Sequence, residues 1–574
     1  MPIPSDRSVV VRRRALAIAH AAVVALVLAA VVLGAGCAGS SATLPGAPTD
    51  LTVGPLDGGV VLRWTLGDDG GSPLTNHAYS LDDGATWAAF APPVVGGSAT
   101  IVALPNGVIH RLRIRAVNAR GPGAPSSAVD ALAAKPAYLL GAHGDGLVSV
   151  QSLASTADGG VVAVGFHDSE ITFGDLPMAP SNDSGTGFIA KVDADGRWSW
   201  RVDLDTNEGS RVETVTAFGD GVAVAGRFRG TLALGGAGTF EAPTGGVFVA
   251  TLDADGTWTW ADVALYDTFA THVSIYGIAV DAADDLVVTG DVEGAVTFGV
   301  HTTADTGFKD AFVASAVVGG SWAWVAGAGS DGPSSGRAMV VADDGRIVVA
   351  GTTRAAVPFA GLPATATTSV TNGFVAVLGS DRTWQWANTF GGALGVAVHD
   401  VAIVDGAAVV VGWFRSGETF GPFGTVAPPM GASSASFILD FGIDDGWRRM
   451  AVLEGSDEAY LVGVTARPGN GLVVAGNVRG DVALDGVPAG QAGAGPYVAV
   501  LDSDGAFVAA RSLDEGPNPD SSDVTAFTLG LGSIPVLAGE FKGSLSDTQD
   551  VIAHDEDAAA PDLFVWKSGP VESW

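Results

Sequence analysis

Tyr276-Gly277-Ile278-Ala279-Val280-Asp281 runs through a turn into Val287-Val288-Thr289-Gly290, then Asp310-Ala311-Phe312-Val313-Ala314, then Trp322 and Trp324. Each piece alternates large apolar with small or polar residues, the period of a strand, and turn-forming residues separate the pieces. The unit repeats. The glycine that ends the valine-rich piece recurs as Gly165, Gly226, Gly290, Gly351, Gly412, Gly476 and Gly539, at intervals of 61 to 64 residues. A second series opens the third piece: Phe188, Phe248, Phe312, Phe374, Phe437, Tyr497 and Phe564. A third is aromatic, with Trp198/Trp200, Trp258/Trp260, Trp322/Trp324 and Trp384/Trp386, then Trp447 and Phe507 at the matching place. Spaced two apart on a strand, both rings of a pair are expected on one side.

Four antiparallel strands per copy, at a period above about 40 residues, predict the blades of a β-propeller, with a solenoid as the competing arrangement. Seven copies occupy residues 137–574. Twelve or thirteen residues before each marker glycine stand Ser152, Thr214, Gly277, Ala338, Asp400, Gly463 and Ala526, nearly all small or compact. They are expected to crowd a central channel. The residues after them (Leu153, Val215, Ile278, Met339, Val401, Val464 and Phe527) are expected to pack between neighbouring blades. The seventh copy ends soon after Phe564-Val565-Trp566-Lys567-Ser568, while Ala137-Tyr138-Leu139-Leu140-Gly141-Ala142-His143 matches the residues just after the tryptophan pairs of other copies. Residues 137–143 are therefore expected to pair with the terminal segment and close the ring. The stretch from Tyr276 to Ala314 looks like the SBBP-type β-propeller repeat of bacterial surface proteins. That resemblance implies a fold and an extracytoplasmic setting, and no particular ligand.

Residues 44–136 read differently. Short alternating strands such as Val60-Val61-Leu62-Arg63-Trp64 and Arg111-Leu112-Arg113-Ile114-Arg115, with frequent turns, predict a β-sandwich. Pro45-Gly46-Ala47-Pro48, Trp64, Asn106-Gly107 and Arg115-Ala116-Val117-Asn118-Ala119 resemble the pattern of bacterial fibronectin type III domains. His110 stands where that family carries its corner tyrosine. Ser80-Leu81-Asp82-Asp83-Gly84-Ala85-Thr86-Trp87 fits the Asp-box pattern but is expected to be a hairpin turn. The fold class is thus all-β: an N-terminal fibronectin type III sandwich followed by a seven-bladed propeller of four-stranded blades.

The first 36 residues have the order of an export signal: Arg7, Arg12, Arg13 and Arg14, then an apolar run from Ala15 to Leu33, then small residues. Cys37, the one cysteine, comes next, and Leu33-Gly34-Ala35-Gly36-Cys37 resembles a bacterial lipobox. The reading is a signal peptide over 1–36, lipidation at Cys37, and a linker over 37–43. It implies a membrane partner through a lipid anchor, at the outer membrane or cell surface. Plain secretion and a retained helix are the alternatives.

With 62 acidic against 29 basic side chains the formal charge is −33, which repels nucleic acid. The histidines form no His-x-His or His-Glu-x-x-His pattern, so no metal or other cofactor is expected. Asp-x-Asp-Gly at 193–196, 253–256 and 502–505 is expected to be a hairpin turn, with weak calcium binding as the alternative. On a symmetric scaffold, function sits where one copy differs. His399 and Asp400 place what reads as the one charge in the axial ring, and the same copy carries Trp413 and Arg415. These four are the candidate ligand-binding residues; a solvated polar lining of a wet channel is the plainer reading. Two function classes remain: a non-catalytic surface scaffold for an extracellular protein or glycan, or a propeller enzyme acting on extracellular glycans or peptides.

Overall fold

The computed structural model describes residues 42–569 apart from 182–183, 205, 270, 330–331, 355–358, 360–369, 445, 456, 468–470, 485–486, 492–494, 514–521, 531–532, 543, 547–550 and 554–560. The described residues are almost entirely strand. The N-terminal module has two antiparallel sheets. One holds Thr49–Leu56, Gly59–Thr65 and Ser98–Val102; the other is built on Leu74–Ser80 and Ile109–Asn118. Trp64, Leu62, Phe90, Leu112 and Ile114 fill the space between them. The module touches the first sheet after it at two hairpins: Asn106 Nδ2 donates to Asp195 at 2.6 Å and the Lys135 N–H to the Ala194 carbonyl at 2.7 Å in one, and Leu132 and Ala134 lie against Gly159 in the other.

Beyond it the chain forms antiparallel sheets one after another, each with a core of four strands, which outer strands extend to five or six in three of them. The first unit is Val148–Ser155, Val161–His167, Thr186–Val192 and Trp198–Leu204; the second opens with Ser210–Phe218 and Gly221–Ala233, and the third with His272–Val280 and Leu286–Glu293. The fourth opens with Ser334–Val341 and Ile347–Thr353, the fifth with Val396–Val404 and Ala407–Phe414, and the sixth with Glu458–Arg467 and Gly471–Arg479. The last is Ser522–Gly530, Ile534–Phe541, Asp562–Ser568 and Ala137–Gly144. Its fourth strand comes from the start of the region. Leu563 pairs with Ala142 and Ser568 with Ala137, as the ends of the sequence suggested. The opening strands of successive sheets lie side by side, and the last lies beside the first. The arrangement is propeller-like.

The two main marker series are partners in one ladder. Gly165 pairs with Phe188, Gly226 with Phe248, Gly290 with Phe312, Gly351 with Phe374, Gly412 with Phe437, Gly476 with Tyr497 and Gly539 with Phe564. A Cβ at Gly165 would run into the Ser149 carbonyl oxygen and approach the Phe188 ring to 3.0 Å, so glycine is the residue that lets the aromatic ring lie over the ladder. Core residues group into seven clusters, each shared by two neighbouring sheets.

The tryptophan pairs correct one expectation. A register shift between Lys191 and Val192, with Trp200 opposite Lys191 and Trp198 opposite Val192, breaks the alternation. The rings therefore face opposite neighbours: Trp198 Nε1 donates to Gly141 O at 3.2 Å in the preceding sheet, and Trp200 Nε1 to Ala254 O at 3.0 Å in the following one. Trp384 and Trp386 do the same, reaching Gly327 and Ile443. The Asp-x-Asp-Gly segments are turns in which Asp193, Asp253 and Asp502 each accept two backbone N–H bonds from their own turn.

Candidate functional site at the axial channel

Every opening strand carries the same defect. The register slips between Val150 and Ser152, Val212 and Thr214, Ile275 and Gly277, Gly336 and Ala338, Val398 and Asp400, Leu461 and Gly463, and Val524 and Ala526. One residue per strand is thus left unpaired: Gln151, Glu213, Tyr276, Arg337, His399, Val462 and Thr525. A bulge re-aims its side chain, and here six of the seven bulge residues border one axial cavity of about 200 Å³. Glu213 is the exception and lies outside that lining. No two bulge residues are of the same type.

The bulge changes the meaning of the neighbouring positions. The small residue does border the cavity, but its size answers to the next sheet. A Cβ at Gly277 would come within 3.2 Å of Met339 Cγ, and one at Gly463 within 2.6 Å of the Phe527 side chain. The large apolar residues are buried against the preceding sheet: Val401 and Val464 are 5% and 3% exposed. Asp400 is not the one charge of the ring, because the bulges bring in Glu213 and Arg337.

Three of the four candidate residues come together. Trp413 Nε1 donates to His399 Nε2 at 3.0 Å, the Arg415 guanidinium lies 4.8 Å from the centre of the Trp413 ring, and Tyr460 meets that ring edge-on at 5.0 Å. His399 opens onto the channel while protein closes round it. That enclosure, with the charge of Arg337, pushes its imidazole down to about 4. It is therefore neutral near pH 7, and because Nε2 accepts, Nδ1 carries the proton. Arg337 lies 4.3 Å above the Tyr276 ring.

Asp400 turns away. Its carboxylate accepts from its own Val401 N–H at 2.8 Å and from Val464 N–H in the next sheet at 2.9 Å, while burial pushes it up to about 7. Glu213 does similar work, accepting from Ile275 N–H at 2.9 Å and pairing with Arg227 at 3.1 Å; burial also raises it. Both carboxyls tie one sheet to the next. Among the described residues no three His, Cys, Asp or Glu side chains gather to hold a metal. No described helix is long and apolar enough to cross a membrane, and Cys37 lies outside the described residues.

No family model matches the chain, and no curated protein does. Solved structures similar to it are distant. A protein of unknown function from Dyadobacter fermentans is 10% identical, over 75% of this chain and 95% of that one, with a TM-score of 0.31. A puromycin hydrolase is 12% identical over 91% and 60%, at 0.34. An exotype rhamnogalacturonan lyase is 11% identical over 92% and 90%, at 0.27. The class of fold, all-β and propeller-like, rests on the sheets of the chain itself.

Proposed function

We propose that the chain is a non-catalytic binding scaffold: a closed seven-bladed propeller behind a fibronectin type III module, held at the cell surface by lipid on Cys37. The carrying observation is the bulge ring. It sets chemically different side chains at equivalent places around one cavity, and among the described residues His399 Nδ1–H and the Arg337 guanidinium there, and Arg415 beside Trp413, have hydrogen-bonding capacity to spare. The two ring carboxyls with raised pKa bind backbone N–H groups of the next sheet and, for Glu213, Arg227 of its own sheet, rather than converging, which favours recognition over acid–base chemistry. The export order of the first 37 residues supports a surface setting, and so does the acidic charge, which favours solubility.

The test is a glycan and extracellular-protein array probed with the purified protein, followed by His399→Ala and Trp413→Ala. Both substitutions should weaken binding of the ligand found by at least about tenfold without lowering the melting temperature, since neither side chain belongs to an apolar cluster. Unchanged binding in both variants would move the site elsewhere. Turnover of a bound glycan or peptide would replace the scaffold reading with the enzyme one.

A further inference from the structure

A second, differently built cavity shares no lining residue with the axial one. Arg211 of the second opening strand is directly opposite Arg227 of its partner. Like charges facing across a ladder oppose each other. Arg229 stands two residues on, so alternation places it with Arg227, while Phe228 between them is buried at 3% exposed. Three guanidinium groups are thus delivered to one side of a two-strand edge, in a protein with more than two acids for every base.

Their partners leave capacity over. Arg227 pairs with Glu213 at 3.1 Å and reaches His272 Nε2 at 3.3 Å. Arg229 pairs at the surface with Glu208 at 2.9 Å and lies 4.6 Å above the ring of Phe269, which is 68% exposed. Among the described residues Arg211 has no ion-pair partner; its guanidinium lies 3.6 Å above the Phe166 ring. Burial and the nearby Arg227 hold its pKa below the usual arginine value. Burial and Arg227 likewise lower His272, so that imidazole is neutral near pH 7. The three arginines, Glu208, Phe269 and His272, with Thr244 and Tyr266, line a cavity of about 260 Å³.

We propose that this cavity binds the carboxylate of an acidic saccharide, with Arg211 as the fork that takes it. The inference rests on the binding reading above and names its ligand class. Three arginines against Glu208, the one acid in the lining, leave the cavity cationic and suited to an anionic group. A guanidinium already held over an aromatic ring is restrained for meeting a planar carboxylate with two parallel bonds. The exposed face of Phe269 suits the apolar face of a sugar ring. Two sheets further round, Lys309, Arg337 and Arg354 line a cavity of about 220 Å³. Arg354 stands three residues after Gly351 as Arg229 does after Gly226, so this second cavity opens at equivalent strand ends. A polymer with one acid per ring can engage both.

Calorimetric titration of the full chain decides the matter with three probes: an alginate tetrasaccharide, its methyl ester, and sodium sulfate. The acid should bind, and the neutral ester at least about tenfold more weakly. Arg211→Met should lose a similar factor, Arg211→Lys less, and the Arg211→Met melting temperature should stay level or rise because the opposed pair is relieved. Equal binding of acid and ester, wild-type affinity in Arg211→Met, or no binding of the acid overturns the proposal. Sulfate bound as tightly as the tetrasaccharide overturns its saccharide part. If Trp413→Ala abolishes binding of an array-identified ligand while Arg211→Met leaves it intact, the scaffold reading stands and this cavity fails alone.

Discussion

Lys191 and Lys567 occupy the same place in two sheets, each three residues after the aromatic marker of its strand, and they have opposite fortunes. Lys191 Nζ pairs with Asp158 at 2.6 Å and donates to Ala254 O at 3.2 Å. The matching hairpin of the last sheet, Gly530 to Ile534, holds no acid. Lys567 is 0% exposed, and its Nζ has no hydrogen-bond partner among the described residues; the Tyr138 ring centre is 5.6 Å away. Burial pushes its ammonium down to about 8. The unfolded chain holds that proton up to about 10.5. Between these values the unfolded state binds more protons, so stability rises with pH across that window, and below about pH 8 a buried unpaired charge weakens the fold. The gap corresponds to about 3 kcal/mol. Lys567→Met should recover up to that amount in denaturant unfolding at pH 7 and remove the rise between pH 8 and 10. A variant less stable than wild type at pH 7 contradicts the account.

At the scale of elements, the strand that closes the last sheet is the test piece. Ala137–Gly144 contributes Tyr138, 1% exposed, and Leu139, 4% exposed, besides a full edge of ladder. Burying two such side chains stabilises by roughly 3–6 kcal/mol. A chain starting at residue 145 should therefore unfold at much lower denaturant than one starting at 137, whereas removing residues up to 134 should cost less, since the sandwich rests on two hairpin tips of the first sheet. Equal midpoints for the 137 and 145 starts would refute this. The strands and their order were legible because glycine and phenylalanine are chemically marked partners. The bulges were not, because a bulge is an event of register and its seven residues share no chemistry. One trace exists. Apolar residues two apart elsewhere stand three apart at Val150/Leu153, Val212/Val215, Ile275/Ile278, Val398/Val401, Leu461/Val464 and Val524/Phe527. The same blindness to register put both rings of a tryptophan pair on one side, and it hid Glu213 and Arg337 from the candidate site.

At the scale of the whole molecule, stability belongs to the seams. Every apolar cluster past the sandwich is shared by two sheets, so no sheet owns a core, and each depends on both neighbours. Calcium has little to add, since the turn carboxylates of Asp193, Asp253 and Asp502 already hold their own backbone N–H groups. Melting in excess chelator and in millimolar calcium should coincide within about 2 °C; a saturating native-state ligand at a hundredfold excess would add about 2.7 kcal/mol and separate the curves. The seam at Ala137–Gly144 has a consequence in time. His143 and Asp562, joined at 2.8 Å, are 419 residues apart in the chain. Ribosomes deliver about 5–20 residues per second, so the strand made first waits roughly 20–80 s for its partner. Until then two sheet edges stand open to other chains, and that interval, rather than the finished ring, is when this protein is exposed to misassembly.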